Sequence, residues 1–455
     1  MTKASRPAKG AVAMVALIAG YLIVNYPFMQ LRVPPAGFGI PLGELLLIMV
    51  LLTSNIPKVV ARMGATVVLF PFAVWWIWAL TRLVLDGVEY GFWAFRDATQ
   101  AVESLYIVAG FTLAGQPRSM ELLERWLGPI IAVSCLYGLT FVYANEIVAA
   151  SPTLPGASDQ PIPIFGSYGT TGQMLLWGAF YYFTRPASRQ ALRTRYDLIG
   201  GFLIAFAVIV LQARTTYFQI VALAILLWIV RPRILGRLSL AVPIMVFLLA
   251  AITAFELRIT GRLSSEISID FFVDHILSIV GISSGEHAGV AEAAGGVSLR
   301  MGWWMRLYDL LTSDAVTLMT GLGFGVPLTD FRDQFGVVAR EPHNSTISVV
   351  ARLGLFGIIA WTWMQAELFR VGIRAYRECR RLSLKEADFL LLVMGFAVLM
   401  LASCLGEDSM EKPYNAIPYY AFWGYALRIA YELRREPAAL AGQKTFAEGA
   451  MRTVP

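Results

Sequence analysis

"ADFLLLVMGFAVLMLASCL", residues 387–405, carries a single charged side chain, Asp388, in nineteen positions. Folded as a helix rising 1.5 Å per residue, such a run crosses a hydrocarbon core of roughly 30 Å, which takes about 20 residues. Similar runs recur on both sides of it, at 10–28, 38–54, 64–82, 98–114, 126–147, 166–184, 196–212, 214–230, 236–257, 343–368 and 413–432. The fold class that follows is all-α: a polytopic membrane protein of about 12 transmembrane helices. Composition agrees, since 57% of the 455 residues are hydrophobic and 15% charged, against roughly 25% charged in a soluble domain. Lys3, Arg6 and Lys9 precede the first run as they would in a signal peptide. "GYLIVNYPFMQ" (20–30) extends the run past signal-peptide length, so a retained first span is expected.

The positive charges set an orientation. With the N-terminus inside, the inside ends and loops hold 25 of the 37 Lys and Arg, six of them between Arg370 and Lys385. The short outside loops hold five: Arg32, Arg82, Arg96, Arg214 and Lys412. This excess predicts that both termini are cytoplasmic. It also accounts for the net charge of +6 without a nucleic-acid partner. Cys135 and Cys404 fall in spans and Cys379 in an expected cytoplasmic loop, so packing thiols rather than a disulfide framework are expected. There is no internal repeat. The chain divides into spans one to nine (1–258), a long outside loop (259–341), spans ten to twelve (342–432) and a cytoplasmic tail (433–455).

A loop of this length inside a compact protein is usually functional or disordered. Its first part, "SIDFFVDHILSIVG" (268–281), has the spacing of an interfacial amphipathic helix. "SSGEHAGVAEAAGGVS" (283–298) reads as a mobile connector. Ser298 is then expected to cap a second amphipathic helix that begins near Leu299 and places Trp304, Leu307, Tyr308 and Leu311 on one face. Arg300 shares that face, where a cation needs an anion, an aqueous site or a lipid interface to snorkel into. "GLGFGVP" (321–327) lacks the preceding strand and the following Lys-Ser or Lys-Thr of a nucleotide loop, so a tight turn free of Cβ atoms is expected.

Three histidines are present, His275, His287 and His343, none paired at i+3 or i+4. No protein-built metal site is expected, and no cofactor. His275 and His287 take solvated or interfacial roles by default. His343 stands where the loop meets a membrane helix, and an imidazole with an ordinary pKa near 6.5 there can serve as a general base. Ionisable residues inside spans are costly and usually face a cavity. Glu44, Glu103 and Arg352 lie near the outer ends of their spans, Arg96 and Asp97 at the mouth of the fourth, and Arg214 between the seventh and eighth. One cavity open to the outside would account for all six. Arg352 is expected to pair with Glu44 or Glu103.

Three places resemble the O-antigen ligase and polysaccharide polymerase superfamily of bacterial inner-membrane glycosyltransferases. They are His343-Asn344-Ser345 with "GLFG" (354–357) beginning eleven residues after the histidine; Arg300 and Trp304 followed by "GLGFG" (321–325); and Arg214 at the outer face between two central spans. The motif-bearing part covers about 210–360. Two positions depart from the family pattern: Arg352, where an acidic residue is common, and Thr346, where an aromatic is common.

The resemblance implies an inverting, metal-independent transfer of a whole glycan from undecaprenyl diphosphate to a sugar hydroxyl at the periplasmic face. His343 is the implied base, Arg214 and Arg300 bind the diphosphate, and Asn344 orients the base or the substrate. Planar guanidinium groups suit diphosphate oxygens because they hydrogen-bond in pairs. The implied partners are the lipid-linked glycan, the sugar acceptor, the bilayer and, as candidates, other polysaccharide-assembly proteins. Polymerase and ligase, the latter joining the glycan to lipid A core, share these residues; the loop carries nothing that ties it to lipid A, which favours polymerase. A transporter or flippase of lipid-linked sugar, which would place charges through both leaflets, and a non-catalytic scaffold are the rival classes.

Overall fold

In the computed structural model, residues 6–34, 39–154, 161–166, 171–186, 189–255, 269–277, 288–330 and 340–435 are described. The principal helices are α1 (Lys9–Ile23), α2 (Leu42–Thr53), α3 (Ile56–Gly64), α4 (Leu69–Tyr90), α5 (Tyr106–Ala114), α6 (Ser119–Leu139), α7 (Thr171–Thr184), α8 (Gln190–Phe206), α9 (Arg214–Val230), α10 (Ala241–Ala254), α11 (Ile269–Leu277), α12 (Ala288–Thr312), α13 (Ser345–Arg381), α14 (Glu386–Ser403) and α15 (Pro413–Arg435). Among the described residues, strand is limited to two antiparallel pairs of two residues each, Arg32–Val33 with Ile40–Pro41 and Thr153–Leu154 with Ile162–Pro163.

Six helical stretches are long and apolar enough to cross a membrane: Leu69–Tyr90, Ser119–Ala150, Gln190–Leu211, Pro232–Ala254, Ser345–Arg381 and Glu386–Ser403. A seventh arises if α2 and α3, bent by 92°, count together, and α1 and α9 are shorter apolar helices. The run that opened the sequence reading is α14, almost wholly inside the bundle. It packs with α15, whose residues Tyr414 to Leu427 are all buried. α5 and α15 cross at glycines: a Cβ on Gly110 would stand 2.4 Å from the Ala421 carbonyl oxygen, and one on Gly424 2.5 Å from that of Ile107. Small residues let membrane helices approach this closely. The outer helices invert the soluble pattern. Val84, Val88, Trp228, Val246 and Phe247 on α4, α9 and α10 are exposed, an arrangement that suits a lipid surround and would be an aggregation hazard in water.

The long helix α13 is broken at Gly354, whose φ of 66° and ψ of −164° lie in a region essentially reserved for glycine. A Cβ there would sit 2.3 Å from the Met319 carbonyl oxygen. The break frees carbonyls of the preceding turn, and each finds a donor: Leu322 N–H donates to Ala351 (2.7 Å), Gly323 N–H to Arg352 (3.0 Å) and Trp78 Nε1 to Leu353 (3.0 Å). The 321–327 segment is thus the expected Cβ-free turn, with positive φ at Gly321, Gly323 and Gly325, packed against the kink of α13.

The loop differs from the sequence expectation in three respects. α12 begins at Ala288, so Ser298 lies inside a helix rather than at its cap, and 288–298 is helical rather than a connector; four alanines and Glu292 outweigh the three glycines there as helix formers. His287 lies outside the described residues. His275 is only 1% exposed, stacked on Phe271 and beside Tyr217, so it is neither solvated nor at an interface with water. Burial, with Arg214 nearby, pushes its pKa down to about 4. Cys379 belongs to the buried face of α13, which continues to Arg381, and not to a loop.

Candidate active site

His343 precedes α13 with φ of 53°, a left-handed conformation uncommon for a residue with a Cβ. Its two successors hold it there. Asn344 is the N-cap: its Oδ1 accepts from Ile347 N–H at 3.0 Å while its Nδ2 donates to the Leu405 carbonyl at 2.9 Å. Ser345 reaches the same neighbouring loop, receiving Met410 N–H at 3.1 Å and donating to Glu411. The asparagine therefore positions His343 through the chain, with both ends of its amide engaged by backbone. From the other side, Trp304 Nε1 donates to the Pro342 carbonyl at 2.9 Å.

The loop these residues grip is 404–412, between α14 and α15. It brings Asp408 Oδ1 to 3.6 Å from His343 Nδ1, and Lys412 Nζ to 2.7 Å from the same oxygen. Burial raises the Asp408 pKa, but the His343 ring and the Lys412 ammonium outweigh it and hold the carboxyl below its usual range. An ionised Asp408 beside Nδ1 favours the tautomer with hydrogen on that nitrogen and leaves Nε2 as the acceptor. The His343 side chain is 36% exposed, so a substrate can reach it.

Arg300, Trp303 and Trp304 share one face of α12, at i, i+3 and i+4. Arg300 Nη1 donates to the Gly406 carbonyl at 3.1 Å, and the Trp303 ring centroid lies 6.2 Å from that of His343. Gly406 is pressed against Thr215, the residue after Arg214, 2.9 Å from where its Cβ would be, so the start of α9 also borders the 404–412 loop. Their guanidinium groups are near enough to repel each other. Arg214 is the first residue of α9, where the helix dipole opposes a cation by about 0.3–1 kcal/mol.

No protein-family model and no curated protein matches this chain. Behind the same loop lies a cavity of about 300 Å³ walled by Gln173, Thr215, Thr216, Gln219, Ser409 and Lys412. The Thr216 hydroxyl, 1% exposed, has no hydrogen-bond partner among the described residues. Neutral amides and hydroxyls of this kind suit the hydroxyls of a sugar. His343, Glu407 and Asp408 also offer three ligand atoms within 4.8 Å of one another; the Lys412 ammonium already supplies the positive charge against Asp408.

Two of the outer-half groupings differ from expectation. Arg352 pairs with Asp97 (3.0 Å) and Glu341 (2.7 Å), not with Glu44 or Glu103. Asp97, with no exposed side-chain surface, also receives Arg340 as a fork, Nε at 3.2 Å and Nη2 at 2.7 Å, and Gly325 N–H at 3.1 Å. Burial pushes the Glu341 carboxyl up against the pull of Arg352. This buried knot ties the glycine turn, α13 and the two residues that lead to Pro342 and His343. Glu44 and Glu103 face each other elsewhere, beside Tyr21 and Tyr106. The charges therefore divide into three groups, and the single common cavity is not formed among the described residues.

The sequence reading missed Asp408, Lys412 and Trp303. "GEDSMEK" (406–412) sets four charged residues, Glu407, Asp408, Glu411 and Lys412, in seven positions between two apolar helices. That density was the available signal.

Proposed function

We propose that this chain is an inner-membrane glycosyltransferase of the O-antigen ligase and polymerase type. It transfers a glycan from undecaprenyl diphosphate to a sugar hydroxyl at the periplasmic side of a twelve-span bundle with both termini in the cytoplasm. The observation that carries the reading is one constellation: a reachable histidine with Asp408 behind its Nδ1, on a loop that Arg300 holds through the Gly406 carbonyl, with Arg214 close enough to Arg300 for the two to repel.

The chemistry follows from their positions. His343 Nε2 takes the proton from the acceptor hydroxyl, whose oxygen attacks the anomeric carbon opposite the leaving group and inverts it. The bond from that carbon to the diphosphate oxygen breaks, and the lipid diphosphate leaves with the electron pair. Its growing negative charge meets Arg214 and Arg300, already oriented, so little reorganisation is needed as the charge develops. Asp408 stabilises the imidazolium in between. The polar cavity beside Lys412 offers hydrogen bonds to a sugar ring. No step requires a metal.

Polymerisation onto another lipid-linked repeat is the favoured outcome over ligation to lipid A core. The test is incubation of the purified protein with an undecaprenyl-diphosphate glycan and each acceptor. A new glycoside released together with free lipid diphosphate supports the proposal, and intact donor with every acceptor, in protein that is folded and lipid-supplied, overturns it. In a deletion strain, single-repeat capping marks a lost polymerase and accumulated lipid-linked polymer a lost ligase.

A further inference from the structure

Towards the other end of α13, 17 to 27 residues beyond the Gly354 break and so about 25–40 Å away along a helix, lies a second cavity unrelated to His343. The last turns of α13 and α15 run side by side there and enclose about 610 Å³. Its floor is apolar: Val371, Ala375, Ala430 and Leu433, all buried. Its rim is basic, with Arg374, Arg377, Arg381 and Arg434 against one acid, Glu378, which pairs with Arg381. Arg434 donates to the carbonyl of Ala65, just past α3. That short helix lies at 92° to α2, buries Val59 and Met63, and turns Lys58 outward. Among the described residues, neither Arg374 nor Arg377 donates a hydrogen bond.

We propose that this groove binds an anionic phospholipid. The two halves of the lining call for two halves of one ligand. Guanidinium forks match a phosphodiester in bidentate geometry, while the apolar floor takes an acyl chain. A free inorganic anion has no use for the floor, and a zwitterionic lipid brings an ammonium group against a rim of four arginines and one acid. Basic pockets between membrane helices on the positively charged side are suited to such headgroups. The proposal stands independently of the reading of His343.

The test uses the full-length protein, delipidated in a neutral detergent, with thermal unfolding and lipid retention in native mass spectrometry as readouts. The probes are phosphatidylglycerol, a diphosphatidylglycerol, phosphatidylcholine and inorganic phosphate. The anionic lipids should raise the midpoint by several degrees and remain bound, while phosphatidylcholine and phosphate should not. Arg374→Gln/Arg377→Gln removes two exposed charges that donate no hydrogen bond among the described residues, and Glu367 keeps its closer partner Arg370, so its midpoint without lipid should stay close to that of the wild type. Its affinity for the anionic lipids should fall at least 10-fold. The proposal is overturned if phosphatidylcholine stabilises as well as the anionic lipids, if inorganic phosphate reproduces the full effect, or if the double variant keeps wild-type affinity.

Discussion

Replacement of Asp97 by Asn should be among the most destabilising single changes in the protein. The side chain is fully buried and answers Arg340 at 2.7 Å and Arg352 at 3.0 Å. Asn keeps the shape and one acceptor but removes the charge that both guanidinium groups face. Arginine cannot shed its proton, so two buried cations remain against Glu341 alone. Removal of one partner from a buried ion pair costs about 3–5 kcal/mol. With an unfolding entropy of about 2.1 cal/mol/K per residue, a chain of this size changes its midpoint by about 1 °C per kcal/mol. A fall of about 3–5 °C is expected in a thermal scan of the purified protein, read by tryptophan fluorescence. Arg352→Met added to Asp97→Asn should recover part of it, because it removes one stranded cation; a coupling of about 1–3 kcal/mol is the expected scale. If Asp97→Asn moves the midpoint by less than 1 °C, or if the double variant is fully additive, the knot does not hold the segment leading to His343.

Other consequences are equally open to measurement. Asp408→Asn keeps the side-chain shape but removes the anion behind the imidazole and beside Lys412, so at equal amounts of folded protein kcat for transfer should drop about 10²–10⁴-fold with KM little changed; a drop confined to KM would assign Asp408 to substrate binding instead. Arg300→Lys keeps the charge and loses the fork, and the affinity for a short-chain lipid diphosphate should weaken at least 10-fold, whereas unchanged affinity rules out a bidentate contact. His275 is held neutral with its pKa lowered to about 4, so the unfolded chain binds the extra proton between its ordinary value of 6.5 and that point. Stability should fall as pH drops through this window and level off below it; His275→Phe, which keeps the stack on Phe271, should flatten the fall, and an equal fall in the variant would place its origin elsewhere.

What the sequence disclosed, and what it hid, has a physical order. Apolar runs such as 387–405 are one-dimensional signals, so the all-α membrane class was legible, while the short helix α3 and the start of α12, which lie outside such runs, were not. The bend between α2 and α3 was not, because the sequence between 53 and 56 is only a Ser-Asn pair. Gly321, Gly323 and Gly325 announced a turn, yet what they pack against, the kink at Gly354 some thirty residues on, is tertiary. Arg214, Arg300 and His343 could each be singled out as costly or rare residues in odd places. Their convergence depends on the 404–412 loop, and Asp408 is an ordinary loop acid until the fold sets it against His343. Arg352 was assigned the wrong partners for a related reason: several acids lay at a similar depth, and only the packing of the glycine turn selects Asp97 and Glu341.

The most direct measurement is single-turnover transfer by purified His343→Ala, compared with wild type at equal amounts of folded protein, with an undecaprenyl-diphosphate glycan as donor and its own repeat as acceptor. The account predicts that the variant still binds the lipid diphosphate through Arg214 and Arg300 but transfers at least 10³-fold more slowly. Transfer at the wild-type rate would contradict it.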